Sequence, residues 1–341
     1  MESRYAKQIR FEGIGETGQE RIKNSSVTLC GCGALGTVLA ESMVRAGVGE
    51  LRIIDRDIVE LSNLQRQVLF DERDAHEGRP KAIAASERLA AINSEVVIEP
   101  IVADLTSGNV RELVAGADLI LDGTDNFETR LLINDLALEE QIPWVHAAVL
   151  GAGGQTMPIV PGETQCLRCL VPDDSSASEG ETCDSVGVIG PAVGAIASLA
   201  AATALKILCG TLEPTQAMLS VIDTWQPRFH SVQIAKTQPS DCPACDQGRR
   251  DYLSGRLSNE STVLCGRNAV QIRRGSVTEV DFDRLARSLE GVCDVTRTPH
   301  FLRAAPGDPT VVVTLFRDGR AIVSGTDEPT IARTAYTRLL G

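Results

Sequence analysis

Aromatic residues make up only 4% of this 341-residue chain, there are only 4 histidines, and basic residues are outnumbered 46 to 33 by acidic ones. The resulting net charge of -13 excludes an extended nucleic-acid surface, which needs a basic face to release counterions from a phosphate backbone. Ten cysteines are too few for a disulfide-dense secreted scaffold, and the leading stretch MESRYAKQIRFEG carries charges where a secretion signal needs an apolar core. The expected compartment is the reducing cytoplasm. Long apolar runs are missing except for one, the 20 residues from Val186 to Leu205, which carry no charge and are long enough to span a bilayer. Gly187, Gly190, Pro191, Gly194, Ser198 and Thr203 dilute that run and alanine dominates it. It therefore reads as a loop followed by a buried small-residue helix capped at Gly210, with no membrane association expected.

What is present is enough apolar material, 43% of residues, for one large core and one smaller core. From Asn24 to about Ala148, short apolar runs (VTLCGCG, ELRIIDRD, VVIEPIV, ADLILDG, IPWVHAAV) alternate with helical stretches (GALGTVLAESMVRAGV, RPKAIAASERLAAIN, FETRLLINDLALEEQ). This alternation is the signature of strand and helix crossovers onto a parallel sheet. The fold class expected is α/β, a Rossmann-like doubly wound and mostly parallel sheet, followed by a small α+β domain. The large domain is placed at 1–248, a Gly-, Arg-, Asp- and Ser-rich linker at 249–260, and the small domain at 261–341. In the small domain a hairpin is expected to turn at Asp318 and Gly319, and the last helix to begin at Pro329.

Gly31, Gly33 and Gly36 form GCGALG straight after the first strand, where the amides opening the next helix would face an anion. The acid about 20 positions on is Asp55, suited to ribose hydroxyls or to a plain turn. Asn63 and Arg66 follow, three apart in LSNLQRQ, and Lys81 opens a helix, where a cation opposes the macrodipole unless an anion lies close by. With a glycine loop, these three suggest a triphosphate rather than the dinucleotide of an oxidoreductase. Asp125, between a strand and a helix, is explained either by a capping box with Glu128 or by holding Mg2+ against phosphates. Cys166 and Cys169, with Cys242 and Cys245, form two CxxC knuckles suited to tetrahedral Zn2+, or less readily to two disulfides. Cys30, Cys32, Cys209, Cys265 and Cys293 read as small apolar fillers.

In this order RYAKQI, GCGALG, DRDIVELSNLQRQ, GRPKA, GTDN, CLRC and CPAC resemble the MoeB/ThiF family of ubiquitin-activating-type adenylyltransferases, over roughly residues 4 to 246. The resemblance implies ATP-dependent adenylation of the C-terminal Gly-Gly carboxylate of a ubiquitin-like sulfur-carrier protein, in preparation for thiocarboxylate formation in molybdopterin, thiamine or related thio-cofactor synthesis. It implies that Asp55 holds the ribose, that Asn63, Arg66 and Lys81 hold phosphates, and that Asp125 holds Mg2+. It also implies a homodimer in which Arg4 and Lys7 reach a neighbour's ATP site. Lys7 stands where the family usually has arginine, keeping the charge but losing the planar fork. Cys183 stands where sulfur-transferring members have a cysteine, and a persulfide donor is implied as a further partner. The flanking Glu181 and Asp184 would disfavour its thiolate. The small domain has no recognisable catalytic motif and reads as an adaptor for carrier or sulfur donor. The readings set against this one are a dinucleotide-dependent oxidoreductase and adenylation of a different carboxylate, on a peptide or a modified tRNA.

Overall fold

The structure, a computed structural model, describes residues 4–171, 186–236, 241–257, 261–264, 268–272 and 280–340. The chain divides into two compact units, Met1–Leu257 and Ser258–Gly341. Cys183 and Cys265 lie outside the described residues.

The first unit begins with α1 (Ala6–Ile9) and α2 (Gly15–Lys23) and then alternates strand and helix: β1 (Ser26–Cys30), α3 (Ala34–Ala46), β2 (Glu50–Ile54), α4 (Glu72–Glu77), α5 (Lys81–Ile92), β3 (Val97–Ile101), α6 (Val110–Val114), β4 (Leu119–Asp122), α7 (Phe127–Glu140) and β5 (Trp144–Leu150). It continues through β6 (Gly153–Ile159), α8 (Leu167–Leu170), α9 (Gly190–Cys209), β7 (Met218–Asp223) and β8 (Arg228–Gln233). The sheet order is β3-β2-β1-β4-β5-β6-β7-β8, parallel as far as β5 and antiparallel beyond. The order reverses between β1 and β4, which opens a crevice at their carboxyl ends. Strands β1 and β4 are apolar and buried because helices cover both faces of the sheet.

One core lies beneath α3, α5 and α9, with Leu29, Leu39, Leu51 and Ile196 at its centre. A second, with Ile120, Ile133 and Trp144, extends to the cysteine knuckles. Helix α9 is the long uncharged run of the sequence. It satisfies the length and composition criteria for a membrane span, yet its alanines Ala192, Ala197, Ala200 and Ala204 are fully buried where it packs on α3, β5 and β6. Gly210, at φ 65°, closes it as the left-handed cap.

The described part of the segment expected as a linker, up to Leu257, packs within the first unit. Asp251 is buried in an ion pair with Arg168, and the Tyr252 amide donates to Asp135 at 2.9 Å. Residues up to Leu257 accordingly belong to the first unit. Polar composition misleads here because Asp251 is turned onto Arg168 rather than toward solvent.

The second unit contains β9 (Ser261–Leu264), β10 (Ala269–Ile272), α10 (Phe282–Ser288), β11 (Val295–Arg297), β12 (Phe301–Ala304), β13 (Val312–Phe316), β14 (Ala321–Ser324) and α11 (Pro329–Leu340). Its sheet, ordered β11-β12-β13-β14-β10-β9, is antiparallel. The β13–β14 turn falls at Asp318 and Gly319, with the Gly319 amide donating to the Phe316 carbonyl at 3.0 Å. Exposed Thr296 and Arg297 in β11 and Arg303 in β12 hide the pairing of these strands from the sequence pattern.

Candidate active site

The three glycines of the loop do different work. Gly31 takes φ +88° directly after β1, which only glycine adopts without strain. A Cβ on Gly36 would lie 2.1 Å from the Gly31 carbonyl oxygen, and one on Gly123, after β4, would lie 2.2 Å from that same oxygen. The carbonyl is thus gripped between two bare backbones. The helix α3 that follows begins at Gly33 with no side-chain cap, so its first amides are left to face the crevice. Gly123 belongs to the GTDN run but is not among the residues the sequence singles out, because nothing local shows that its chain passes against the first turn.

Asp55 closes β2 on the floor of this loop. Its carboxylate accepts from the Cys32 amide at 2.6 Å and the Asp57 amide at 2.7 Å. Burial pushes the carboxyl up from its ordinary value, with Lys81 pulling the other way. Lys81 is 3% exposed. Its Nζ lies 3.4 Å from Asp57 Oδ2, and its amide donates to the Asp57 carbonyl at 2.9 Å. The anion that a cation at the start of a helix needs is therefore built in. Asp57, two residues beyond the ribose candidate, is a site residue the sequence reading passes over. Arg56 between them pairs with Asp104 at 2.9 Å and lies in the field of Asp125.

Asn63 is buried and accepts the Glu60 amide at 3.0 Å, part of a reciprocal cap on the short turn Leu61–Asn63. Arg66 sits at the end of that turn, half-buried, with Nη1 donating to the Ser62 carbonyl at 2.8 Å. Gln67 next to it is buried, and its Oε1 has no hydrogen-bond partner among the described residues.

Asp125 is not the helix cap that its spacing from Glu128 suggests. Asn126 caps α7, its side-chain oxygen accepting from the Thr129 amide at 2.8 Å. The Asp125 carboxylate is exposed at the carboxyl end of β4, released from any capping duty.

Lys7 is exposed on α1, and α1 is anchored at the far end of α3. Gln8 donates to the Ala46 carbonyl at 2.9 Å, Asn93 donates to the Tyr5 hydroxyl at 2.9 Å, and Arg4 donates to the Ile92 carbonyl at 3.0 Å. Helix α3 is about 20 Å long at about 1.5 Å per residue, so within one chain Lys7 is not brought to the glycine loop.

The four knuckle cysteines do converge. Their sulfurs lie within 4.8 Å of one another, with Cys166 to Cys242 at 3.6 Å, Cys166 to Cys169 at 3.8 Å and Cys169 to Cys245 at 3.5 Å. A tetrahedron with metal–sulfur bonds of about 2.3 Å has edges of about 3.8 Å, so the donor set fits one tetrahedral ion. The Lys236 ammonium lies 3.4 Å from the Cys245 sulfur, and the Leu167 amide between the first two cysteines donates to Asn134 at 2.9 Å. These contacts offset thiolate charge and orient the first knuckle.

The sequence profile of the ThiF family matches residues 5–244. The sulfur carrier protein ThiS adenylyltransferase of Bacillus subtilis (strain 168) is 42% identical over 342 residues, covering 100% of each chain. The SAMP-activating enzyme E1 of Haloferax volcanii is 38% identical over 250 residues, 73% of this chain and 91% of that protein. The crystal structure of Escherichia coli MccB with MccA-N7isoASN has a TM-score of 0.63 at 24% identity, over 72% of this chain and 75% of that one, a likeness of fold.

The grip on the Gly31 carbonyl sets an expectation. Gly36→Ala should lower stability by about 1–3 kcal/mol, because a methyl group must displace backbone. Gly194→Ala, in α9 with open space at the Cβ position, should be neutral or stabilising by up to about 1 kcal/mol. Urea denaturation of both variants checks the pair, and equal midpoints would refute the grip.

Proposed function

The chain belongs to the ThiF family, and from that premise we propose that it adenylates the C-terminal carboxylate of a ubiquitin-like sulfur-carrier protein with ATP. The single observation that supports this reading best is the buried Lys81, held beside Asp57 and Asp55 in the same crevice as the glycine turn. A dinucleotide oxidoreductase has no use for a cation there, whereas a departing pyrophosphate does. The carrier carboxylate attacks the α-phosphorus of ATP, the bond to the β-phosphate oxygen breaks, and pyrophosphate leaves with the negative charge. In this reading Asp55 receives the ribose hydroxyls, and the amides that open α3 without a side-chain cap meet phosphate. Asn63, Arg66 and Lys81 line the path of the β- and γ-phosphates. Asp125, a hard oxygen donor without a capping role, suits Mg2+, which when bound neutralises phosphate charge.

The homodimer is proposed on the same basis: Lys7 has no role at its own chain's glycine loop, and a neighbour's site would give it one. Zinc is proposed at Cys166, Cys169, Cys242 and Cys245 as a structural ion, since all four positions of a tetrahedron are taken by sulfur and none is left open for substrate. A cytoplasmic location agrees with the free thiols and with the burial of α9. Adenylation of another carboxylate is the second reading of the same site, and the acidity of the chain disfavours its tRNA form.

Purified protein should carry one zinc per chain. Cys242→Ser should lose most of the metal and melt at a lower temperature, because metal affinity is folding free energy. Zinc-free protein with an unchanged melting temperature would remove the assignment.

Carrier-dependent exchange of labelled pyrophosphate into ATP tests the reaction. Asp125→Ala and Arg66→Ala should each lose about a hundredfold or more, the scale of one preorganised charge contact. Exchange that proceeds without carrier, or that survives both changes, contradicts the mechanism.

Sulfur delivery is a separate step. Cys183 is proposed to take the acyl group from the adenylate with release of AMP, before a persulfide donor supplies sulfur. Cys183→Ala should leave pyrophosphate exchange nearly intact but fail to yield thiocarboxylate from a persulfide donor, read by intact mass of the carrier. A normal yield would mean that the donor persulfide attacks the adenylate directly.

A further inference from the structure

Beneath the turn that carries Asp125 lies a buried ionic cluster that the reaction as described leaves unused. Asp122, the last residue of β4, has no exposed surface. Its Oδ2 accepts from His146 Nδ1 at 2.9 Å, from Arg130 Nε at 3.2 Å and from the Ala147 amide at 3.5 Å. Its Oδ1 accepts from the Thr124 amide at 2.9 Å and the Thr124 hydroxyl at 2.7 Å. Arg130, on α7 and itself buried, sends Nη2 to the Thr124 carbonyl at 2.6 Å and to the Ala147 carbonyl at 3.4 Å. Burial opposes the charge on Asp122, but Arg130, His146 and Thr124 outweigh it and hold the carboxyl below its ordinary value. Burial likewise lowers His146, against the pull of Asp122.

Every polar group of Thr124, the residue before Asp125, is therefore tied to this cluster. On the other side Gly123 is pressed against the Gly31 carbonyl. An exposed carboxylate on an unbraced turn would have to be ordered each time a metal–nucleotide complex bound, whereas here the turn is fixed beforehand. Only arginine can brace it in this way, because one planar fork joins the Asp122 carboxylate to the Thr124 carbonyl.

We propose that Asp122 and Arg130 are positioning residues that hold the Thr124–Asp125 turn in the geometry required by the metal–nucleotide complex, and so set how much Mg2+ the site needs. This rests on the reading of Asp125 given above. The probe is a non-hydrolysable ATP analogue with a methylene between the α- and β-phosphates, titrated calorimetrically into the full-length protein over a range of Mg2+ and in EDTA. Asp125→Ala should abolish the gain in affinity that Mg2+ brings. Arg130→Lys keeps the charge and loses the fork, and Thr124→Val removes one bond without shortening the side chain. Each should raise the half-saturating Mg2+ by about threefold to tenfold, the scale of one lost hydrogen bond, while affinity in EDTA stays within about twofold. Hydrogen exchange at the Thr124 and Asp125 amides should speed up in both variants. Wild-type Mg2+ dependence in Arg130→Lys and Thr124→Val, with the gain lost in Asp125→Ala, overturns the positioning role and leaves the reading of Asp125 standing. An unchanged gain in Asp125→Ala removes that reading and this inference together. Equal loss of affinity with and without Mg2+ marks general damage to the fold and overturns the positioning role as well.

Discussion

The carbonyl oxygen of Gly31 is the point on which the site is assembled. It lies between the α-carbons of Gly36 and Gly123, at separations that no side chain would allow. This contact brings the end of β1, the first turn of α3 and the end of β4 to a common place. Without it, the amides of α3 and the carboxylate of Asp125 would have no fixed distance between them. The hydrogen bonds of the parallel sheet set the order of the strands, but a ladder of amides says nothing about how closely two loops beyond its edge approach each other. Backbone-to-backbone contact supplies that distance here.

Charge is arranged around this point so that few of its ions stand alone. Asp55 and Asp57 flank Lys81, Arg56 is paired with Asp104, and Asp122 is met by Arg130 and His146. Buried ions are tolerated when partnered and costly when not. The exposed and half-buried exceptions, Asp125 and Arg66, are assigned to the substrate, as are Asp55 and Lys81 of the partnered set. The contrast between ions neutralised within the fold and ions left to a ligand is visible only in three dimensions.

That contrast also explains what could and could not be read from the residues alone. The strand and helix alternation, the glycine turn, Asp55, Lys81 and the four cysteines announce themselves through period, spacing and residue type. Gly123, Asp57, Asp122 and Arg130 do not, because their meaning lies in a partner reached only through the fold. Asp122 looks like any acid ending an apolar strand, and Arg130 like any surface cation on a helix. Asp125 was open to two readings, and the structure decides against the cap because Asn126 takes that place. The polar stretch after the second knuckle was misleading for the same reason: Asp251 faces Arg168 rather than water.

The cysteine cluster joins Cys166 to Cys242 across 76 residues of chain, enclosing α9, β7 and β8. An ion held by all four sulfurs would close that stretch into a ring in the folded chain. The chain-entropy cost of closing a ring of this size is about 4.5 kcal/mol on the scale worked out for disulfides. Metal–sulfur bonds would repay that cost only where both knuckles have met, so metal and fold would be gained or lost together. Strands β7 and β8 lie wholly inside the ring, so their pairing onto β6 would be coupled to occupancy of the metal site.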